Sequence, residues 1–150
     1  MKAVSPIIEH LILSAAALVF FVFVIFMFTS IQDQLLADDL NNRLTNLAGQ
    51  VALRITQAYE TGGLIDEIDP SVPVVRLYMD VPSTISGYSY VVRYSDDSII
   101  ASSHGQTQEA GLLGMSRDFA IEGKIIGSNQ RRPAITYYKS QNRMVLENVG

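Results

Sequence analysis

Residues 11–28 read LILSAAALVFFVFVIFMF, and residues 31–60 read IQDQLLADDLNNRLTNLAGQVALRITQAYE. The first stretch holds no charged side chain. With Thr29, Ser30 and Ile31 it reaches the roughly 20 residues, about 30 Å of helix, that a bilayer core requires. Its Leu, Ile, Val and Phe side chains each contribute about -0.3 to -0.6 kcal/mol to insertion, which outweighs the single Ser14. A secretory signal has a shorter apolar region, about 7 to 15 residues, ending in a small-x-small cleavage site. The run here ends in Phe28-Thr29-Ser30-Ile31-Gln32, which is no such site. The expectation is a membrane-spanning helix over residues 4–31. Lys2 lies on one flank and Asp33, Asp38 and Asp39 on the other. The positive-inside rule then keeps the amino terminus in the cytoplasm and the remainder outside it, as a single-pass protein of the cell membrane.

The second stretch continues the helix without a Pro or Gly at the join. Ile31, Leu35, Leu36, Leu40, Leu44, Leu47, Val51, Ile55 and Ala58 recur at steps of three or four, which is one face of an α-helix. Residues 32–61 are thus read as an amphipathic stalk, stopping at Gly62-Gly63. Gly49 is its weak point, at about 1 kcal/mol against alanine. From Pro6 to Tyr59 the helix would measure on the order of 80 Å. Ser5 is the candidate N-cap, Pro6 suits a first helical position, and Glu9 is read as an acid favoured by the helix dipole. The apolar stripe needs a partner. The chain's own distal domain accounts for residues 51–58, and copies of the helix account for the proximal part, including Leu35, Leu36 and Leu40.

In 150 residues there is room for one small domain beyond the helix. Lys and Arg number 11 against 15 Asp and Glu, a net charge of -4, and only Lys2 and Glu9 of these precede Phe28. Nucleic acid is therefore not an expected partner, since phosphate binding needs clustered cations and Arg131-Arg132 is the only adjacent basic pair. There is no cysteine, which removes disulfides, thiolate metal sites and thiol nucleophiles.

After Gly63 the period changes to short β-type runs between turn residues. Strands are expected at residues 74–80, 88–94, 98–102, 119–126, 134–139 and 144–148. The fold class is α+β: a long helix followed by a small antiparallel β domain over residues 64–150, as a sandwich or open barrel, with a meander wrapped on the helix end as the alternative.

Little chemistry stands out in that domain. Ser102-Ser103-His104 offers a hydroxyl and an imidazole, but adjacent residues do not make a converging triad, and a polar turn before Gly105 is the simpler reading. Asp66, Glu67 and Asp69 lack the spacing of an EF-hand loop and read as a solvated linker. His10 beside Glu9 lacks the further groups of a proton relay. No catalytic residue, cofactor or metal site is expected.

The start of the chain, Lys2-Ala3 followed by Val4-Ser5-Pro6-Ile7-Ile8 and the apolar run, resembles an archaeal type IV pilin-like protein. In that family a prepilin peptidase removes a short basic leader ahead of the apolar stretch, and the helix passes from the membrane into the core of a filament. The resemblance covers roughly the first sixty residues. It implies a leader of residues 1–3 cut between Ala3 and Val4, and assembly through Pro6, Glu9, Leu35, Leu36, Leu40, Leu44 and Leu47. It also implies other pilin-like subunits and a pilus assembly platform as partners. Glu9 is the sixth residue after Ala3, one beyond the glutamate of bacterial type IV pilins that is thought to pair with a neighbour's terminal amine. The expected function is a structural, non-enzymatic subunit of a surface filament, a minor pilin rather than a major one given the repeated Phe20, Phe21, Phe23, Phe26 and Phe28. The alternative is a bitopic membrane-anchored binding or sensing module that does not polymerise.

Overall fold

The computed structural model describes residues 4–67, 69–112, 114 and 117–150, with side chains from Pro6 onward. One helix, α1, runs over Val4–Gly63 and is followed by seven strands. The chain divides into two compact units between Asp38 and Asp39.

In the first unit the helix already includes Val4, so Ser5 lies inside it rather than at its N-cap. Pro6 is in the first turn, where its missing N–H leaves no hydrogen bond unmade. The first turn holds no acid. Glu9 stands in the second turn, beyond the reach over which the dipole favours a carboxylate. The Thr29 hydroxyl donates to the carbonyls of Ile25 and Phe26 at 3.1 and 2.9 Å, so the polar group near the end of the apolar run is satisfied by its own helix.

In the second unit the same helix lies on a sheet. Leu40, Leu44, Leu47, Ala48, Val51, Ile55 and Ala58 are buried in one cluster with Val75, Tyr90, Val92, Ile99, Ile125, Ile135, Met144 and Leu146. The strands are β1 Val75–Tyr78, β2 Tyr90–Ser95, β3 Ser98–Ser103, β4 Gln106–Gly111, β5 Ala120–Ile126, β6 Arg132–Tyr138 and β7 Arg143–Val149. They form a single sheet in the order β1-β6-β7-β5-β2-β3-β4, in which only β5 and β7 are parallel. The expected sandwich is therefore replaced by one sheet with the helix on one face. All six expected strands are present, and β4 is an addition.

Alternation explains the sheet's orientation. On β2 and β3 the residues Tyr90, Val92, Ile99 and Ala101 are buried, while Val91, Arg93, Ile100 and Ser102 face the other way. That second face is mostly polar. Arg76, Thr136 and Glu147 meet there: Arg76 donates to the Thr136 hydroxyl at 3.3 Å, Thr136 donates to Glu147, and Arg76 lies 3.5 Å from the same carboxylate.

Two-residue turns set the register of the β2–β3–β4 meander. Asp96 and Asp97 both have positive φ, as do His104 and Gly105, which is the backbone a tight I′ hairpin demands. β5 changes partner midway: Ala120 to Gly123 pair with β7, and Lys124 to Ile126 pair with β2. Gly123 stands at the change with φ +85°, and a Cβ there would sit 2.3 Å from the Leu146 carbonyl oxygen. Past that point the Asn148 side chain replaces the ladder, donating to the Ile126 carbonyl at 2.6 Å and accepting from its N–H at 3.0 Å.

The helix end is tied to the sheet. Gly62 passes so near Tyr137 that a Cβ would lie 2.4 Å from its ring. Tyr59, Phe119 and Tyr137 pack ring against ring at 5.0 to 6.4 Å. Lys139 donates its ammonium to the carbonyls of Gly63 and Ile65 at 3.1 and 2.8 Å, closing the helix C-terminus with a cation, as the dipole favours.

Candidate functional site

The helix is apolar enough over a sufficient length to cross a membrane. Its large apolar residues from Ile7 to Phe28 are all exposed within the chain. Ser14, Ala15, Ala16 and Ala17 interrupt this coat of large side chains, and a shallow groove there is bounded by Ile12, Val19, Phe20 and Phe23. Glu9 and His10 are exposed, and neither enters an ion pair among the described residues.

Past the apolar run the stripe of α1 divides in two. Ile31, Leu35 and Leu36 remain open at 51, 64 and 41 % exposure, whereas Leu40, Leu44 and Leu47 are at 2, 0 and 4 %. The expected assembly residues thus fall into two groups. Pro6, Glu9, Leu35 and Leu36 stand on open helix surface. Leu40, Leu44 and Leu47 are buried in the domain's own core. From Leu40 onward the helix packs its apolar face into the folded unit. Of the expected cleavage site, Ala3 lies outside the described residues, and Val4 is described only as helical backbone.

Polar contacts mark where the helix joins its domain. Asp39 accepts from the Ser86 hydroxyl at 2.8 Å and from Arg43 Nε at 2.8 and 2.9 Å. These donors, Ser86 first and then Arg43, hold its carboxyl below the usual aspartate range. Ser86 and Gly87 make another positive-φ turn, between Ile85 and Tyr88, which exchange N–H and carbonyl hydrogen bonds at 2.9 Å. On the edge strand β4, the Gln108 amide donates to Asn41 Oδ1 at 3.1 Å. Nearby, Tyr90 donates to the Pro82 carbonyl at 2.7 Å, and burial pushes its phenol up to about 12. Contacts of this kind between loop and helix carry no periodic signal, so sequence patterning does not reveal them.

The remaining candidates take structural places. Ser103 is buried and donates to the Ser89 carbonyl at 2.8 Å, while the exposed His104 ring stacks on Tyr88 with centroids 3.9 Å apart. Hydroxyl and imidazole therefore have separate partners and do not form a nucleophile-base pair. Asp69 accepts from the backbone N–H and hydroxyl of Ser71 at 2.8 and 2.7 Å, which lowers its pKa, and so caps its own turn. Among the described residues no group of three or more His, Cys, Asp or Glu is placed to hold a metal ion.

The surface that stands out is thus the exposed apolar helix from Ile7 to Leu36, ending where Leu40 enters the core. No protein-family model, curated protein or solved structure matches this chain.

Proposed function

We propose that this chain is a structural subunit of an archaeal type IV pilus-like surface filament, held in the membrane by residues 4–31 and assembling through the same helix. The supporting observation is α1 itself. One uninterrupted helix has an open apolar surface from Ile7 to Leu36 and then becomes the core helix of a β domain. In lipid the surface is solvated by acyl chains, and in a filament the same surface packs against copies. The resemblance of residues 2–8 to a pilin leader supports a release step between Ala3 and Val4, and the repeated Phe20, Phe21, Phe23, Phe26 and Phe28 favour a minor over a major subunit. The domain over residues 64–150 would then be displayed outside the cell.

Coexpression with a prepilin peptidase, followed by amino-terminal sequencing, tests this reading. The mature chain should begin at Val4, and replacing Ala3 with a bulky residue should block the shift. A chain that still begins at Met1 or Lys2 overturns it.

A second reading, a bitopic anchored module that does not polymerise, draws support from the burial of Leu40, Leu44 and Leu47. That burial leaves only a short stretch of open stripe beyond the apolar run. Under this reading the leader stays on and Leu35 and Leu36 serve at most a paired stalk.

A further inference from the structure

Arg131 ends the turn from β5 and Arg132 opens strand β6, and both are exposed. The ion pairs among the described residues are Arg43 with Asp39, Arg76 with Glu147 and Arg143 with Glu122, so the chain's only adjacent basic pair takes part in none. Both arginines are among the residues lining an open cleft of about 510 Å³, together with Tyr78, Asp80, Asn129 and Gln130. This volume falls within the usual range for small-molecule sites.

The cleft is built on ordered backbone. Its two walls, the end of β1 and the start of β6, are joined by the Met79 N–H donating to the Pro133 carbonyl at 2.9 Å. The turn is braced by the Gln130 N–H donating to the Ser128 hydroxyl at 3.2 Å. Tyr78 stands opposite Ala134 in the β1–β6 ladder and is 53 % exposed, so no bulky side chain faces its ring across the ladder.

The side chains define the ligand's chemistry. Two guanidinium groups beside one carboxylate give a local charge of about +1, which suits a ligand with a single negative charge and works against a densely charged one. Guanidinium binds carboxylate bidentately. The Asn129 and Gln130 amides and the Asp80 carboxylate supply donors and acceptors for hydroxyl groups, and the Tyr78 ring offers an apolar platform with a polar tip. A sugar ring bearing one carboxylate satisfies all of these together.

We propose that the cleft between the end of β1 and the β5–β6 turn binds an acidic sugar, with its carboxylate on Arg131 and Arg132 and its ring against Tyr78. This site functions whether the domain rides on a filament or on a single anchor, so it stands or falls separately from the assembly reading.

The test uses the full chain in nanodiscs and calorimetric titration with galacturonate, glucuronate, mannuronate and sialyllactose, each bearing one carboxylate. Maltotriose serves as the neutral comparator and inorganic phosphate as the simple anion. At least one acidic sugar should bind, with maltotriose much weaker. Arg131→Ala combined with Arg132→Ala should lower that affinity at least about tenfold, as expected for loss of a charge-assisted pair. Tyr78→Ala should lower it several-fold while Tyr78→Phe retains it. These exposed substitutions should leave the melting temperature unchanged. Failure of every acidic sugar to bind, or equal binding by the double arginine variant, overturns the proposal. Phosphate competing as well as the acidic sugar does so too, by reducing the cleft to a general anion site.

Discussion

The two parts of the apolar stripe on α1, before and after Asp38, have the same spacing and meet different fates. Leu35 and Leu36 stand open, and Leu40, one turn further on, is sealed beneath the sheet. Nothing in the spacing of leucines marks the change. The difference lies in what surrounds the helix: beyond Asp39, the loop at Ser86 and strand β4 at Gln108 reach it with hydrogen bonds, and the β strands supply apolar side chains to cover it. A periodic stripe thus specifies a face that needs covering, and the tertiary neighbourhood decides what covers it.

The sharpest way to break this contrast is to place a charge on each half. Leu44→Asp puts an unpaired carboxylate into the core and should cost the domain about 4 kcal/mol or more, read by chemical denaturation. Leu35→Asp should leave domain stability within about 0.5 kcal/mol while reducing filament yield or helix pairing. If both variants unfold the domain alike, the division of the helix at Asp38 is wrong.

Two glycines sharpen the comparison within the buried half. Gly62→Ala drives a methyl into the Tyr137 ring and should destabilise by about 1 to 3 kcal/mol through overpacking. Gly49 has no neighbouring atom within 4 Å of its would-be Cβ. Gly49→Ala should therefore stabilise by up to about 1 kcal/mol from helix propensity alone. Thermal melts of the two variants should move in opposite directions.

The smallest expected effect is at the junction. Because Asp39 has a folded pKa below its ordinary 3.8, its contribution is present above that value and is lost as pH falls through the lower folded value. Asp39→Asn should therefore lower the melting temperature slightly at neutral pH and match the parent chain once the pH falls below the folded pKa of Asp39, flattening the acid limb, as followed by melting temperature against pH.

Six of the seven strands are legible in the sequence because alternating residues such as Tyr90, Val92, Ile121 and Ile125 must face a core. β4 is not, since QTQEAG at the sheet edge contributes no fully buried side chain and so has no alternation to betray it. Its one local signal is the His104-Gly105 turn that follows β3 and sends the chain back as a hairpin. The single-sheet architecture was also hidden, although polar outward positions at Arg76, Arg93 and Glu122 are what an uncovered face looks like. The long helix and its apolar surface were readable directly. The loss of Leu40, Leu44 and Leu47 to the domain core was not, because it depends on contacts with residues far along the chain. The cleft at Arg131-Arg132 was visible only as an isolated basic pair, with Tyr78 and Asp80 brought to it by β1 pairing with β6.

The strand order has a temporal consequence. β7 lies between β6 and β5, so it alone joins β1-β6 to β5-β2-β3-β4, and it is the last strand of the sheet to be synthesised. A chain emerging from synthesis forms the β2–β3–β4 meander early, from neighbouring segments joined by two-residue turns. The sheet becomes continuous only when β7 enters between partners already made. Until that moment the apolar side of the helix lacks its full cover, and the nascent domain exposes surface on which chains aggregate.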